Sequence, residues 1–296
     1  MRATEGTIPF KGLETWYRIV GDGEEPGKLP VLVLHGGPGA PHDYLESLQA
    51  VATTGRRAIF YDQLGCGNSS RSDQSLWNVE TFVEEVGAVR DALGLEETHI
   101  FGSSWGGMLA MAYALTKPAG LASLVISSSP ASIPLWAEET SRLRSELPEE
   151  VRATLDEHET AGTTGSPEYE AATMVFYKRH VCRLDEWPDH ILRAFAKLQE
   201  SPDVYLYMQG PNEFVITGTL KDWNIVDRLG EIDVPTLITT GGHDECTPKQ
   251  AEIVHRGIPG SEWVVFEEGS HMQFAEEPDR YLEVLDGFLT RVEAAS

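Results

Sequence analysis

The 296-residue chain is short of cysteine, of basic residues and of long apolar runs. Its three cysteines are too few and too scattered for a disulfide framework or a zinc site. Its 23 basic residues stand against 47 acidic ones, and a net charge of −24 repels phosphate backbones and anionic lipid. No apolar run reaches the roughly 18 residues that span a bilayer, and residues 1–6 lack a signal-peptide core. We therefore expect a reduced, soluble, cytoplasmic protein that binds neither nucleic acid nor membrane.

Short apolar segments alternate with amphipathic ones along the first part of the chain. Val31–Leu34 and Ala58–Tyr61 are typical of strands buried on both faces. Residues 79–93 repeat apolar side chains at helical spacing. Because strands that alternate with helices usually pair in parallel, the pattern predicts an α/β fold with a mostly parallel central sheet flanked by helices. A hairpin within residues 7–20 and a helix over residues 44–51 are also predicted.

The alternation stops after Ser128 and resumes about a hundred residues later. The segment between is charged, helical in pattern and rich in aromatic residues. We predict a core domain made of residues 1–128 and 230–296, with residues 129–229 inserted as a helical cap domain over the sheet. Most of the cap aromatics should form its own core, and a minority should line a pocket.

A Gly-x-Ser-x-Gly motif, formed by Gly102, Ser104 and Gly106, lies in the middle of the core segment. An extended segment precedes it, and residues 108–115, which are strong helix formers, follow it. The motif predicts a sharp strand-to-helix turn whose flanks have no room for side chains, with Ser104 held clear of the sheet. A glycine-rich turn with a solvated serine would have the same local sequence, so the interpretation depends on the rest of the site.

A serine nucleophile needs a base to take its proton and a carboxylate to orient that base. Asp244 and His271 each follow a predicted strand, where catalytic groups of parallel sheets lie. The order Ser104, Asp244, His271 is that of α/β-hydrolases, so we predict this triad and that fold. The rival carboxylate Asp62 comes too early in the order, and Glu245 should point away from Asp244 if their loop is extended. Four other histidines occur in polar helical stretches and are expected to be solvated: His158, His180, His190 and His255.

Backbone amides must stabilise the charge that develops on the substrate's carbonyl oxygen. We predict an oxyanion hole formed by the amide of Trp105, directly after the nucleophile, and that of Gly37 in the His-Gly-Gly-Pro-Gly segment. A phosphate-binding loop is rejected because the Gly-Lys-Ser/Thr ending and the Gly-x-Gly-x-x-Gly spacing are missing. Neither a metal nor a cofactor is expected.

These residues resemble the prolyl aminopeptidase (proline iminopeptidase) family of α/β-hydrolases, which includes the tricorn-interacting aminopeptidases. The similarity spans nearly the whole chain. Four blocks carry it, at residues 35–39, 62–67, 102–107 and 210–214: His-Gly-Gly-Pro-Gly, Asp-Gln-Leu-Gly-Cys-Gly, Gly-Ser-Ser-Trp-Gly-Gly and Gly-Pro-Asn-Glu-Phe. The fourth block is similar to the tricorn-interacting branch.

The resemblance implies a serine exopeptidase that releases the N-terminal residue, proline or a small or hydrophobic one, from short peptides or amino-acid amides. It also implies that Glu213 and Glu245 bind the free amino terminus. Elementary electrostatics agrees, because a buried cation needs paired carboxylates. Whether a larger protease partner exists is left open.

Two other interpretations remain open. An L-amino-acid amidase, or a general ester or amide hydrolase, would use the same triad. A binding module built on a catalytically dead α/β-hydrolase would usually lack a triad member, whereas all three are present here. Haloalkane dehalogenases and epoxide hydrolases use an aspartate nucleophile, which Ser104 disfavours.

Overall fold

The computed structural model describes residues 2–295, and within that range eight strands form one sheet. They are β1 (Ala3–Phe10), β2 (Leu13–Val20), β3 (Val31–Leu34), β4 (Ala58–Tyr61), β5 (Thr98–Ser103), β6 (Leu121–Ser127), β7 (Thr236–Gly241) and β8 (Glu262–Phe266). Their order across the sheet is β1-β2-β4-β3-β5-β6-β7-β8. Strands β3 to β8 pair in parallel, while β2 pairs antiparallel with both β1 and β4. The predicted fold class, an α/β-hydrolase-like and mostly parallel sheet, is confirmed.

The α-helices of the same range flank or cover this sheet. They are α1 (Val79–Ala92), α2 (Trp105–Ala114), α3 (Ile133–Ser145), α4 (Glu149–Ala161), α5 (Pro167–His180), α6 (Asp189–Glu200), α7 (Asp203–Met208), α8 (Pro248–Gly257), α9 (Gln273–Glu276) and α10 (Pro278–Ala295). Helices α3 to α7 all fall between β6 and β7, the stretch that the sequence assigns to the cap. None of the helices described between residues 2 and 295 is long and apolar enough to cross a membrane.

Alternate residues of the central strands enter two separate apolar layers. Leu32 and Leu34 of β3 pack into the layer that contains the buried faces of α1, α2 and α8. Val31 and Val33 pack into the layer that contains α10. Burying one leucine side chain stabilises the fold by about 1.5–3 kcal/mol, so a strand buried on both faces must be apolar at every position. This explains why so short a segment was recognisable as a strand.

Local backbone requirements define the N-terminal hairpin. Strands β1 and β2 are joined through Lys11 and Gly12, which have φ angles of 47° and 79°. Positive φ at both central residues is the condition for a two-residue turn whose twist matches that of the strands. The hairpin predicted within residues 7–20 is therefore confirmed.

The helix predicted near residues 44–51 is present, but it is longer than predicted. The structure has a 3-10 helix over His42–Thr54. Its buried residues include His42, Leu45, Leu48 and Val51, which are spaced by three. That period matches the three residues per turn of a 3-10 helix, whereas an α-helix would rotate the last of them away from the sheet.

The segment between β6 and β7 has an apolar cluster of its own. Tyr169 and Phe176 of α5 pack there with Leu155 of α4, and Phe214 closes the cluster. Ile191 and Ala194 of α6 instead join one of the two layers beside the sheet. The helices over the sheet are thus held together by their own core and fastened to one layer through α6. Trp136 of α3 and Met208 of α7 fasten them to the other layer.

Candidate active site

Ser104 lies at the tip of the turn between β5 and α2. Its φ and ψ angles are 56° and −124°, a conformation that residues other than glycine rarely adopt. A Cβ atom on Gly102 would collide with the carbonyl oxygen of Gly106, and one on Gly106 with that of Leu34. The backbone amide of Ser104 donates to the carbonyl of Ser127 at 2.9 Å. The two glycines are therefore sterically required, as predicted, and the turn is fixed to the neighbouring strand.

His271 and Asp244 form a buried hydrogen-bonded pair beside this turn. His271 Nδ1 donates to Asp244 Oδ1 at 2.8 Å, and both residues are almost fully buried. Burial opposes the charged imidazolium, but the charge and hydrogen bond of Asp244 outweigh it and raise the pKa of His271 above its ordinary value. With the proton on Nδ1, the basic nitrogen is Nε2. Ser104 and His271 line the same cavity.

Two residues that the sequence analysis missed position this pair. Ser128, just beyond β6, donates its hydroxyl to Asp244 Oδ2 at 2.5 Å. His180, at the end of α5, uses its backbone carbonyl to accept from the amides of Glu245 and His271, each at 3.2 Å. His180 is half-buried, with Nδ1 donating to the carbonyl of His243 at 2.8 Å, so its side chain is only partly solvated. The contact of His180 is made by its backbone carbonyl, which every residue has, so the sequence could not have revealed it.

Glu213 and Glu245 bring two more carboxyl groups to the cavity. Glu213, half-buried in the loop after α7, accepts from the hydroxyl of Tyr205 at 2.6 Å. Glu245 is only 1% exposed, and its Oε1 lies 3.7 Å from His271 Nδ1. The prediction that Glu245 points away from Asp244 is wrong, because the chain turns at residues 242–243 directly after β7 and does not continue as an extended loop. Both carboxylates therefore reach the same imidazole.

Burial makes the ionised forms of these two carboxyl groups electrostatically unfavourable. Glu245 Oε2 is buried without a hydrogen-bond partner among the described residues. Burial, followed by the charges of Glu213 and Asp244, raises the pKa of Glu245 well above its ordinary value. Burial also raises the pKa of Glu213, and the hydrogen bond from Tyr205 offsets this only in part. A cation entering between them would relieve both penalties.

The predicted oxyanion donors belong to Trp105 and Gly37, which both lie beside Ser104. Trp105 is the first residue of α2, so its amide has no acceptor within the helix. Gly37 has a φ of +107°, and a Cβ there would come within 2.5 Å of the backbone nitrogen of Ala40. Both residues border one small pocket together with Ser104. The Trp105 indole donates to the side chain of Gln63 at 2.8 Å, a contact that the sequence analysis missed and that fixes the start of α2.

One group of side chains within the described residues has the proximity of a metal site: His42, Asp43 and Glu46. Its ligand atoms are already engaged. Asp43 accepts from Arg193 and Lys197, and His42 Nδ1 donates to Asp62 at 2.8 Å. The cations that neutralise the group are therefore side chains of α6, and Asp62, the rival carboxylate of the sequence analysis, bonds to His42.

Comparison with known proteins agrees with this geometry. A family model described as the alpha/beta hydrolase fold matches residues 30–278. A relative named proline iminopeptidase, from Thermoplasma volcanium, is 40% identical over 291 residues, which cover 98% of each chain. The crystal structure of proline iminopeptidase from Mycobacterium smegmatis is 43% identical, with a TM-score of 0.92 and 99% coverage of both chains. That of VinJ is 42% identical, with a TM-score of 0.95, and covers 98% of this chain and 99% of its own. The chain therefore belongs to the α/β-hydrolases and, among them, to the proline iminopeptidase family.

Proposed function

We propose that this chain is a serine exopeptidase that releases an N-terminal residue, proline above all, from short peptides or amino-acid amides with a free amino terminus. The relatives named proline iminopeptidase support the substrate, since they match nearly the full chain at about 40% identity. The chemistry rests on Ser104, His271 and Asp244, which the chain order and the strand ends single out. The paired carboxyl groups of Glu213 and Glu245 supply the reason for a free terminus.

Acyl transfer follows from the roles of the triad. Ser104 Oγ attacks the carbonyl carbon of the first residue, and His271 Nε2 takes the hydroxyl proton. Asp244 holds Nδ1–H and stabilises the imidazolium that forms. The amides of Gly37 and Trp105 donate to the oxyanion. His271 then protonates the departing amine, and a water molecule activated by the same nitrogen hydrolyses the acyl-enzyme and regenerates the serine.

The observation that carries the proposal is the pair of carboxyl groups in the cavity beside Ser104, which can bind a free amino terminus. Glu245 is buried with an unpartnered oxygen, and Glu213 borders the same cavity as Ser104. An ammonium group placed between them forms two charge-assisted hydrogen bonds and favours the ionised carboxylates. It thereby fixes the first carbonyl beside Ser104 and excludes internal peptide bonds, which explains cleavage at the N-terminus alone.

The test is a set of matched substrates. We expect the anilides of Pro, Ala, Leu and Phe with free amino groups to be cleaved, with Pro preferred. Their N-acetylated counterparts should lose about 100-fold or more in kcat/KM, because acetylation removes the cation and leaves both carboxyl groups without a partner.

The same set discriminates the alternative enzyme. Equal rates for free and acetylated anilides would contradict the proposal and would favour a general ester or amide hydrolase. Efficient cleavage of amino-acid amides, with no activity on any peptide, would favour an L-amino-acid amidase. An inactive protein that nevertheless binds the free anilides would indicate a binding module.

A further inference from the structure

Two spaces adjoin Ser104, and they differ greatly in size. The smaller, bounded by Trp105, Met108 and Trp136, has a volume of about 10 Å³. That is room for about one water molecule and not for a departing residue. The larger has a volume of about 260 Å³ and extends from Ser104 toward the exposed Glu170 and Gln199. The part of the substrate that leaves as an amine must therefore occupy the larger cavity.

The walls that helices α5, α6 and α7 contribute to the larger cavity are largely apolar. Helices α5, α6 and α7 contribute Tyr169, Met174, Phe195, Leu198 and Leu206 to them. Leu206, at 49% exposed, extends this apolar wall to the surface. These side chains offer dispersion contacts and apolar surface, but few hydrogen bonds, to a bound group.

The charges around this cavity all have one sign, apart from the catalytic histidine. Among residues 2–295, no lysine or arginine contributes to its lining. The carboxyl groups that do contribute are Glu170 at the mouth and Glu213 and Glu245 at the inner end. A free dipeptide that binds through its ammonium group would place its C-terminal carboxylate one residue beyond Ser104. That carboxylate would lose part of its hydration without gaining a cation, and Glu170, the acid of the lining that the ammonium group does not neutralise, would repel it.

We propose that this enzyme selects substrates whose departing part is uncharged and apolar: amides formed between the first residue and an apolar amine, and peptides whose C-terminal carboxylate is blocked or lies far from the cleaved bond. Free dipeptides are correspondingly poor substrates. The proposal rests on the proposed aminopeptidase function, because the ammonium site sets the direction in which the substrate lies. The reaction is unchanged: water adds across the C–N bond, and the amine departs with the proton from His271.

The decisive comparison uses two substrates that differ only in the terminal charge, Pro-Phe and Pro-Phe amide. We expect kcat/KM to be about 10-fold or more higher for the amide, mainly through KM, because the carboxylate is penalised on binding. Equal values, or a preference for the free dipeptide, would overturn the proposal. Acetyl-Pro-Phe amide distinguishes a failure of this proposal from a failure of the proposed aminopeptidase function. If it is cleaved as well as Pro-Phe amide, the aminopeptidase assignment fails, whatever the rate for the dipeptide.

Charge variants locate the cause. Glu170→Lys, at the exposed mouth, and Met174→Lys, on the wall, should each raise kcat/KM for Pro-Phe. The ratio of kcat/KM for Pro-Phe amide to that for Pro-Phe should then fall by about 3-fold or more. Glu168→Lys makes the same charge change as the first variant on an exposed residue outside the lining and should leave the ratio unchanged. Circular dichroism and thermal unfolding establish that each variant is folded. A ratio that stays fixed in both folded cavity variants would overturn the proposal, since the selectivity would then not come from the cavity's charge.

Discussion

Asp244 and Glu245 are adjacent carboxylates in opposite environments. Asp244 accepts hydrogen bonds from the Ser128 hydroxyl and the Cys246 amide, in addition to the bond from His271. Glu245 has an oxygen without any partner among the described residues. A satisfied carboxylate is suited to orienting a histidine, and an unsatisfied one is suited to receiving a cation from the substrate. The roles that we propose for these two residues follow from this contrast.

Ser104→Ala tests the nucleophile. Because the triad acts as a unit, we expect kcat for proline anilide to fall by about 10⁵-fold or more, with the fold unchanged. Steady-state rates and labelling with a fluorophosphonate probe measure the two consequences. A variant that kept near-wild-type turnover, or a wild-type protein that did not react with the probe, would contradict the mechanism.

Glu245→Gln tests the buried acid through stability as well as activity. The pKa of Glu245 is raised in the folded protein, so its contribution to stability is fully present below the unfolded value of about 4.5 and is lost as pH rises through the folded pKa. At pH 8 the wild type therefore carries a penalty that glutamine removes. We expect the variant to be about 1–3 kcal/mol more stable than the wild type at pH 8, with little gain at pH 4, while kcat/KM for free anilides falls about 10-fold or more.

Urea unfolding at both pH values measures the stability difference. Glu168→Gln, a change at an exposed position, should shift stability by less than about 0.5 kcal/mol at either pH. Equal destabilisation of Glu245→Gln at pH 4 and pH 8 would show that the carboxyl group is not strained by its burial.

At the scale of elements, one buried acid adds to the apolar contacts that fasten α6 to the core. Asp43, in the 3-10 helix His42–Thr54, is 2% exposed and accepts from Arg193 at 2.6 Å and Lys197 at 2.8 Å. Burial raises the pKa of Asp43, but the hydrogen bonds from Lys197 and Arg193 and the charge of His42 bring it below the ordinary value. Since α6 also contributes wall residues to the large cavity, this anchor maintains the cavity's width.

Asp43→Asn should loosen α6. Because both cations keep some solvent exposure, we expect a loss of about 1–3 kcal/mol in unfolding free energy at pH 7. The folded pKa is lowered, so the contribution is present above the unfolded value of about 3.8 and lost as pH falls below it, and the two proteins should converge in acid. Urea titrations and hydrogen exchange of α6 measure the effect. Asp185→Asn, in the exposed loop before α6, is the control, and equal exchange of α6 in both variants would contradict the anchoring role.

The elements that could be predicted from the sequence are those whose cause is local. Gly102 and Gly106 identify the turn because no side chain fits there, and β3 is recognisable because both its faces are buried. The contacts that could not be predicted join residues that are distant in the sequence. Ser128 and Asp244 are 116 positions apart, and the sequence around either residue does not indicate that they form a hydrogen bond. The helix near residues 44–51 was predicted, but not its 3-10 form or its start at His42, because periods of 3.0 and 3.6 residues differ little over so short a segment.

At the scale of the whole molecule, the net charge and the site charge have the same sign. The chain carries 47 acidic and 23 basic residues, and the carboxyl groups of Glu213 and Glu245 face the cavity where an ammonium group is expected to bind. Potentials from surface charge add to those of the site and concentrate small cations near the mouth. A substrate of net charge +1 is attracted by the surface charge and also bound by the acids of the site. A zwitterionic dipeptide has no net charge, so the surface charge does not attract it.

Ionic strength should therefore separate the two substrates. Raising NaCl from 10 to 500 mM shortens the Debye length from about 30 Å to a few ångströms, which removes the surface contribution and leaves the buried one. We expect kcat/KM for Pro-Phe amide to fall by about 3-fold or more, while that for Pro-Phe changes little. Potassium chloride in place of sodium chloride controls for specific ion effects. An equal response of both substrates would mean that salt acts on the protein rather than on substrate charge, and the surface would then have no part in selecting cations.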